Sequence, residues 1–266
     1  MKVPISSPTI ANLISYPKLN QHEYNKRMSD LNKIGVKDAI LEGPTRVCEL
    51  NILGKGHSGI VLKVNPYSEK SMALKIRRVD SRRKDSLNEV NNQKLANLAG
   101  IGPKIIDNTK DLILMELIPG RGISDWLDDP SNLNPENSKI ILNIVYEILE
   151  QCYRLDVLNL DHGELTRIDN HIMISEDNHI HIIDFESSST KRKPSNVTSS
   201  SQALLLSGGS ISKKICRFIE IKEPNFLLNH LKNYKEKKSR QNFEDILSLV
   251  TEKKIDIKKN SSTAIR

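Results

Sequence analysis

The chain has 266 residues, 37% of them hydrophobic and 27% charged, with a net charge of +7. That length and composition suit a globular protein with a core of its own, and no apolar run approaches the roughly 18 residues of a membrane span. The first 21 residues lack a cationic start leading into a continuous apolar stretch, so a secretory leader is not expected and the protein is placed in the cytoplasm, away from membranes. Cys48, Cys152 and Cys216 are too scattered for a CxxC metal or redox pair and are expected to be buried thiols. The positive charge is uneven. From Lys191 onward there are 17 Lys and Arg against 7 Asp and Glu, whereas the preceding residues carry a small negative excess. A basic C-terminal third suits an anionic partner, RNA or a ribonucleoprotein above all, although a solvated lysine-rich face explains many such runs.

In chain order, residues 1 to 45 form a polar extension of unclear role with a short helix predicted near Tyr24 to Ile34. VCELNIL, GIVLKVN and SMALKIRR follow as β-favouring runs separated by turn residues, and they predict an antiparallel sheet. Leu87, Val90, Leu95 and Leu98 recur at near-helical spacing before Gly100, which predicts one helix against that sheet. DLILMEL reads as a buried strand, and a lobe boundary is expected near residue 118. The clearest helix runs from about Pro135 to Asp156, with Asn134 as its cap and Ile141, Ile144, Val145, Ile148 and Leu149 on its apolar face. NHIMIS and NHIHIID predict a small hairpin, and the remainder from Ser195 reads as modest helices with a frayed, charged end. The expected divisions are therefore 1–45, a lobe over 46–118, a second over 119–230, and a basic helical tail over 231–266.

Four motifs carry chemistry. In GKGHSGIV, Gly54, Lys55, Gly56, Gly59 and Val61 form a GxGxxGxV loop in which glycine lets backbone approach phosphate oxygens. The same spacing occurs in dinucleotide-binding turns, but those open a helix, whereas IVLKVN is strand-like. Lys75 in ALKI stands where a phosphate-pairing lysine is expected, and Glu89 on the following helix supplies an ion-pair partner. Between the long helix and the hairpin, DHGELTRIDNH places His162 and Glu164 in a loop with Asp169 and Asn170. In HIHIIDFE, Asp184 ends a strand and suits a hard cation on a triphosphate, with Glu186 in place of the glycine of a DFG segment.

The order of GKGHSGIV, ALKIRRVDSRRK, GIGPKII, LILMELIPG, DHGE and IIDFESSS, over about residues 45 to 206, resembles the archaeal RIO-like serine/threonine protein kinases and their relative, the KEOPS-complex kinase. The resemblance implies an α+β, bilobed protein-kinase-like fold: an antiparallel N-lobe sheet with one helix, and a reduced, mainly helical C-lobe. It implies ATP and Mg2+ as cofactors, Lys75, Glu89 and Glu164 as catalytic residues, and Asp184 with Asp169 or Asn170 at the metal. Adenine is expected beside Ala73, Met115 and the Glu116 to Leu117 hinge. Glu164 stands where the kinase pattern has aspartate, no APE segment follows, and only 80 residues remain after Glu186. A slow, self-phosphorylating kinase, an ATPase switch on a ribonucleoprotein particle, and a nucleotide-binding pseudokinase all remain open. The Ser and Thr residues from Ser187 to Ser201 are the expected self-phosphorylation segment.

Overall fold

Ile60, Leu62 and Val64, and after the turn Leu74 and Ile76, recur at every second position and put their side chains on one face of a central pair of strands. The computed structural model describes residues 1–66 and 70–253 and divides them into two units, residues 1–119 with 183–189, and residues 120–182 with 190–253. It is a mixed α+β structure with an antiparallel sheet and several helices. In the first unit come β1 (Lys2–Pro4), α1 (Ala11–Ile14), α2 (Gln21–Lys33), β2 (Val36–Ile40), β3 (Thr45–Val47), β4 (Leu50–Ile52), β5 (Gly54–Lys55), β6 (Gly59–Pro66), β7 (Met72–Arg77), α3 (Leu87–Leu98), β8 (Ile105–Asn108) and β9 (Leu112–Glu116). The main sheet runs β1-β2-β6-β7-β9-β8, with β5 paired to β6, and its ladders are antiparallel.

The two faces of this sheet are used differently. Ile60, Leu62, Val64, Leu74, Ile76, Leu112 and Leu114 point into the larger core, where Ile10, Leu13, Ile14, Leu31 and Ile34 cover them. Residues 1 to 45 are therefore no appendage: they contribute two strands of the sheet and the helices that bury one of its faces. Their sequence hides this because the apolar positions follow no single period and acquire a common face only against the sheet. The segment is also tied electrostatically. Asp111, fully buried at its carboxylate, accepts from Lys26 of α2 at 2.6 Å and from Arg77 of β7 at 2.6 Å. Burial pushes the Asp111 pKa up, but those two cations outweigh it and hold the carboxyl below its usual range. Nearby in the chain, Arg27 is fully buried and donates to the Ile14 carbonyl at 2.7 Å.

On the opposite face Val90 of α3 packs with Ile105 and Ile113, and Met115 closes this smaller cluster. The β3–β4 hairpin turns at Cys48 and Glu49, both in left-handed conformation, and Cys48 is exposed. Of the three cysteines only Cys152 is fully buried, so the expectation of three buried thiols fails at this turn.

The second unit contains β10 (Gly120–Gly122), α4 (Ile123–Asp128), α5 (Ser138–Val157), β11 (Ile172–Ser175), β12 (Ile180–Ile182), α6 (Asn196–Ser201), α7 (Ser210–Ile215), β13 (Ile219–Ile221), α8 (Pro224–Glu236), α9 (Arg240–Ser248) and β14 (Val250–Glu252). α5 begins at Ser138, because Pro135–Asn137 forms a separate short 3-10 turn and Asn134 makes no side-chain cap bond there. β11 and β12 pair as a hairpin extended by β10, while β13 and β14 form a ribbon that helix periodicity does not announce. At the end of α5, Asp156 binds α6 and α8 together: it accepts from Asn196 N at 3.0 Å, Asn196 Nδ2 at 2.7 Å, Val197 N at 3.3 Å and Tyr234 OH at 2.9 Å. The frayed end expected beyond residue 253 lies outside the described residues. No helix among the described residues is long and apolar enough to cross a membrane.

Candidate functional site

The glycine-rich segment forms a tight hairpin between β5 and β6, in which Gly56 N donates to Gly59 O at 2.8 Å. Gly59 sits close to its neighbours, since a Cβ there would meet the Ile76 carbonyl at 3.0 Å and the Lys75 side chain at 3.3 Å and would have to push one of them aside. At Gly54 the same Cβ would meet nothing within 4 Å, so the turn itself does not demand glycine there. The register places Val61 opposite Lys75 and Ala73 opposite Met115. Because side chains alternate along a strand, Ala73 and Lys75 share the face of β7 that looks away from Leu74 and Ile76.

Lys75 is buried, and its Nζ lies 2.6 Å from Glu89 Oε1, 2.9 Å from Asp184 Oδ1 and 3.5 Å from Glu186 Oε2. Burial alone pulls the ammonium pKa down, but the three carboxylates outweigh burial and raise it well above the ordinary lysine value. Lys75 is thus permanently charged. Glu89 is shifted upward, chiefly by its own burial and against the pull of Lys75. Three segments far apart in sequence converge here: β7, α3 and residues 183–189. Asp184 adopts a left-handed backbone at φ 66°, an uncommon conformation for a residue other than glycine, which turns the chain into the short 3-10 turn Phe185–Ser187. Phe185 is fully buried, and the Ser188 carbonyl accepts from Asn92 of α3 at 2.9 Å, which docks this segment on the helix.

Sequence order alone does not reveal the role of Glu186. Its carboxylate accepts from the Ser58 hydroxyl at the tip of the glycine-rich hairpin and from Arg83 Nε at 2.9 Å. Carboxylate oxygens of Glu89, Asp184 and Glu186 lie within 4.8 Å of one another, a donor set whose hard, anionic oxygens fit a divalent cation.

The other expected residues belong to the second unit. Glu164 Oε1 accepts from Arg167 Nη2 at 2.6 Å, and its Oε2 lies 3.8 Å from His171 Nε2. Asp169 and Asn170 end a 3-10 turn and are exposed. His162 is fully buried, edge-on to His171 with ring centroids 5.0 Å apart, and its backbone N donates to Asn196 Oδ1 at 2.9 Å. His162 therefore helps fix the loop from within. Of the hydroxyls between Ser187 and Ser201, Thr190 is exposed, while Ser188, Ser200 and Ser201 are buried.

The cationic segments also differ from the sequence expectation. Lys232, Lys235 and Lys237 are exposed along the end of α8, but Arg240 is held by Glu150 at 2.7 Å and by Glu244 at 2.9 Å. Tyr234 and Phe243, the aromatic residues of this segment, are fully buried, with Phe243 stacked on Tyr153 at 4.7 Å. In the cluster after β7, Arg77, Arg78 and Arg83 are ion-paired to Asp111, Asp80 and Glu186. Comparison of the chain with protein-family models gives no match, and comparison with curated proteins gives none either.

Proposed function

We propose that the protein is an ATP-dependent phosphotransferase of the atypical, RIO-like serine/threonine kinase type, with a bilobed kinase-like arrangement. One observation carries this reading: a permanently charged Lys75, ion-paired to Glu89 of the neighbouring helix and to Asp184, lies against a glycine hairpin. Separate segments of a chain have no structural need to gather three carboxylates and an ammonium at a glycine-lined edge, whereas a triphosphate with its metal needs both charges there. The glycine backbone covers the phosphates and Lys75 neutralises them. Ala73 and Met115, adjacent across β7 and β9, offer the apolar surface for adenine, with Glu116 and Leu117 following. Asp184 would hold magnesium in the first unit, where carboxylate oxygens of Glu89 and Glu186 lie within 4.8 Å of its own. Bound there, the ion would draw charge from the phosphate oxygens as phosphoryl transfer proceeds.

Phosphoryl transfer passes through a loose transition state, so orientation of the acceptor matters more than strong proton abstraction. Glu164 takes that role, and Arg167 holds its carboxylate in place. Its extra methylene relative to aspartate displaces the carboxylate by about 1 Å, a shift that can cost on the order of a hundredfold in rate, and slow turnover follows. The Arg167 contact also favours a second reading, a nucleotide-binding pseudokinase, because an ion-paired carboxylate is already engaged. Labelled ATP with magnesium, following phosphate on protein and free phosphate separately, distinguishes kinase, ATPase switch and pseudokinase. Label on protein, at Thr190 by mass spectrometry, is the expected result. Glu164→Ala is expected to lower turnover by about 10- to 100-fold while changing nucleotide affinity far less, since an orienting group acts mainly in the transition state. Equal turnover in parent and variant removes Glu164 from the mechanism.

The lysines at and just beyond the end of α8, Lys232, Lys235 and Lys237 exposed and Lys238 half-buried, are proposed to contact RNA or a ribonucleoprotein. With Arg240 committed to Glu150 and Glu244, four cations remain: Lys232, Lys235, Lys237 and Lys238. Four phosphate contacts give a slope of log affinity on log salt of roughly −3. Filter binding with structured RNA, comparing the full chain with a variant carrying Ala at those four positions, checks this. Unchanged affinity assigns the lysines to solvation only.

A further inference from the structure

Glu186 stands at the centre of contacts that the phosphotransferase reading does not require. Its two carboxylate oxygens are divided between the Ser58 hydroxyl and Arg83, and one of them also lies 3.5 Å from Lys75 Nζ. Ser58 is the side chain at the tip of the glycine hairpin, and both it and Glu186 are buried. The hairpin is held from its backbone as well, where the Ser58 carbonyl accepts from Arg78 N at 2.7 Å. The loop that should be free to admit phosphates is therefore fastened at its tip to the residue two positions after Asp184. Lys75 is similarly committed, with its ammonium ringed by Glu89, Asp184 and Glu186.

We propose that Glu186 is a positioning residue that acts as a clasp: it fastens the glycine-rich loop through Ser58, and a nucleotide must release it to reach Lys75. This regulation rests on the phosphotransferase reading of the same site. Its physical basis is an exchange of partners. Around the lysine stand three carboxylates and, with Arg83, two cations, an excess of negative charge that repels a bare phosphate. A divalent cation entering with the phosphates satisfies the carboxylates, and the phosphates satisfy Lys75 and the loop. Each contact given up is then replaced by one of the same kind. Glycine at this position, as in a DFG segment, has no side chain with which to make such a clasp.

The test uses the full chain with Ser58→Ala, Glu186→Gln and the double variant, measured first without nucleotide by hydrogen exchange. Amides of residues 54 to 60 are expected to exchange about tenfold faster in Ser58→Ala, because a buried charge-assisted bond is lost. Glu186→Gln is expected to give a smaller increase, and the double variant to match Ser58→Ala rather than add to it. Amides of β1 and β2 should keep their parental rates. Stopped-flow mixing with ATP, with and without magnesium, is the second readout. Faster association in both variants and a reduced magnesium requirement in Glu186→Gln are expected. Parental exchange at residues 54 to 60 in Ser58→Ala overturns the clasp, as does acceleration spread evenly over the sheet, which marks a merely structural contact. Slower association in the variants also overturns it, because Ser58 and Glu186 would then help nucleotide in. If no variant and not the parent binds ATP while the loop still responds locally, the phosphotransferase reading fails and the fastening of the loop stands.

Discussion

Asp184→Asn is expected to reduce magnesium-dependent turnover of ATP by about 100-fold or more while leaving the melting temperature unchanged or raised. The two effects have opposite signs because the residue serves the site at the expense of the fold. Asp184 adds a third carboxylate to Glu89 and Glu186 around one ammonium, and it occupies a left-handed backbone conformation that asparagine tolerates as well as aspartate does. Removing its charge relieves repulsion on Glu89, whose pKa is already pushed up by burial and further by Asp184. The Lys75–Glu89 ion pair at 2.6 Å survives the substitution, so the folded arrangement persists. What is lost is an anionic ligand for a hard cation, without which phosphate charge goes uncompensated. Lys75→Met is a harsher companion. It removes the cation from between buried carboxylates and is expected to destabilise the protein by about 3–5 kcal/mol as well as stop turnover. Calorimetric titration with ATP and magnesium, beside thermal melts, measures both effects. If Asp184→Asn binds and turns over ATP as the parent does, the residue is not at the phosphate site. A fall in melting temperature of many degrees with activity retained would make it a structural residue instead.

Asp156→Ala is expected to cost about 3–5 kcal/mol of stability. Four donors converge on this carboxylate, from the Asn196 backbone and amide, the Val197 backbone and the Tyr234 hydroxyl, and all of them are buried. Alanine leaves these donors without an acceptor in a dry site, and an unmet buried donor costs more than the bond had contributed. Asp156→Asn keeps the shape and one acceptor oxygen, so a loss of about 1–3 kcal/mol is expected from the donor that then faces an amide NH2. The pH dependence follows from the raised pKa of this group. Burial dominates the shift, with the four donors opposing it. Between the ordinary carboxylate value and the raised one, the folded protein holds a proton that the unfolded chain has released. Stability contributed by this group is therefore fully present below the unfolded value and is lost as pH rises through the folded one. Urea unfolding of parent and variants, in steps of pH from about 4 upward, checks the magnitude and the sign. A loss below 1 kcal/mol in Asp156→Ala means that water replaces the carboxylate.

The elements legible in the sequence were those whose own periodicity states their burial. β6 and β7 are β-favouring apolar runs bounded by turn residues, α5 repeats Ile141, Ile144, Val145, Ile148 and Leu149 at helical spacing, and β11 and β12 flank a polar turn. Pattern suffices there because apolar residues recur at the period of the element itself, β-branched and apolar along the strands and at helical spacing along α5. Resemblance of ALKI and HIHIIDFE to kinase motifs singled out Lys75, Glu89 and Asp184 as candidates.

Tertiary structure decided what depends on residues that meet only after folding. Residues 1 to 45 read as a polar extension of unclear role, yet Ile10, Leu13, Ile14 and Leu31 become core once the sheet presents them with a matching apolar face. Arg240, one of several cations in a basic run, is neutralised by Glu150 from 90 positions away, and Tyr234 and Phe243 face inward because α8 and α9 bury their shared apolar side. Glu186 is the sharpest case. As a letter in DFE it is only a departure from a motif, but folding brings Ser58 from 128 positions earlier and Arg83 from 103 onto its two oxygens. Charge and hydrogen bonding act across a few ångströms of space without regard to distance along the chain, so composition shows which such groups exist and only the fold determines which of them meet.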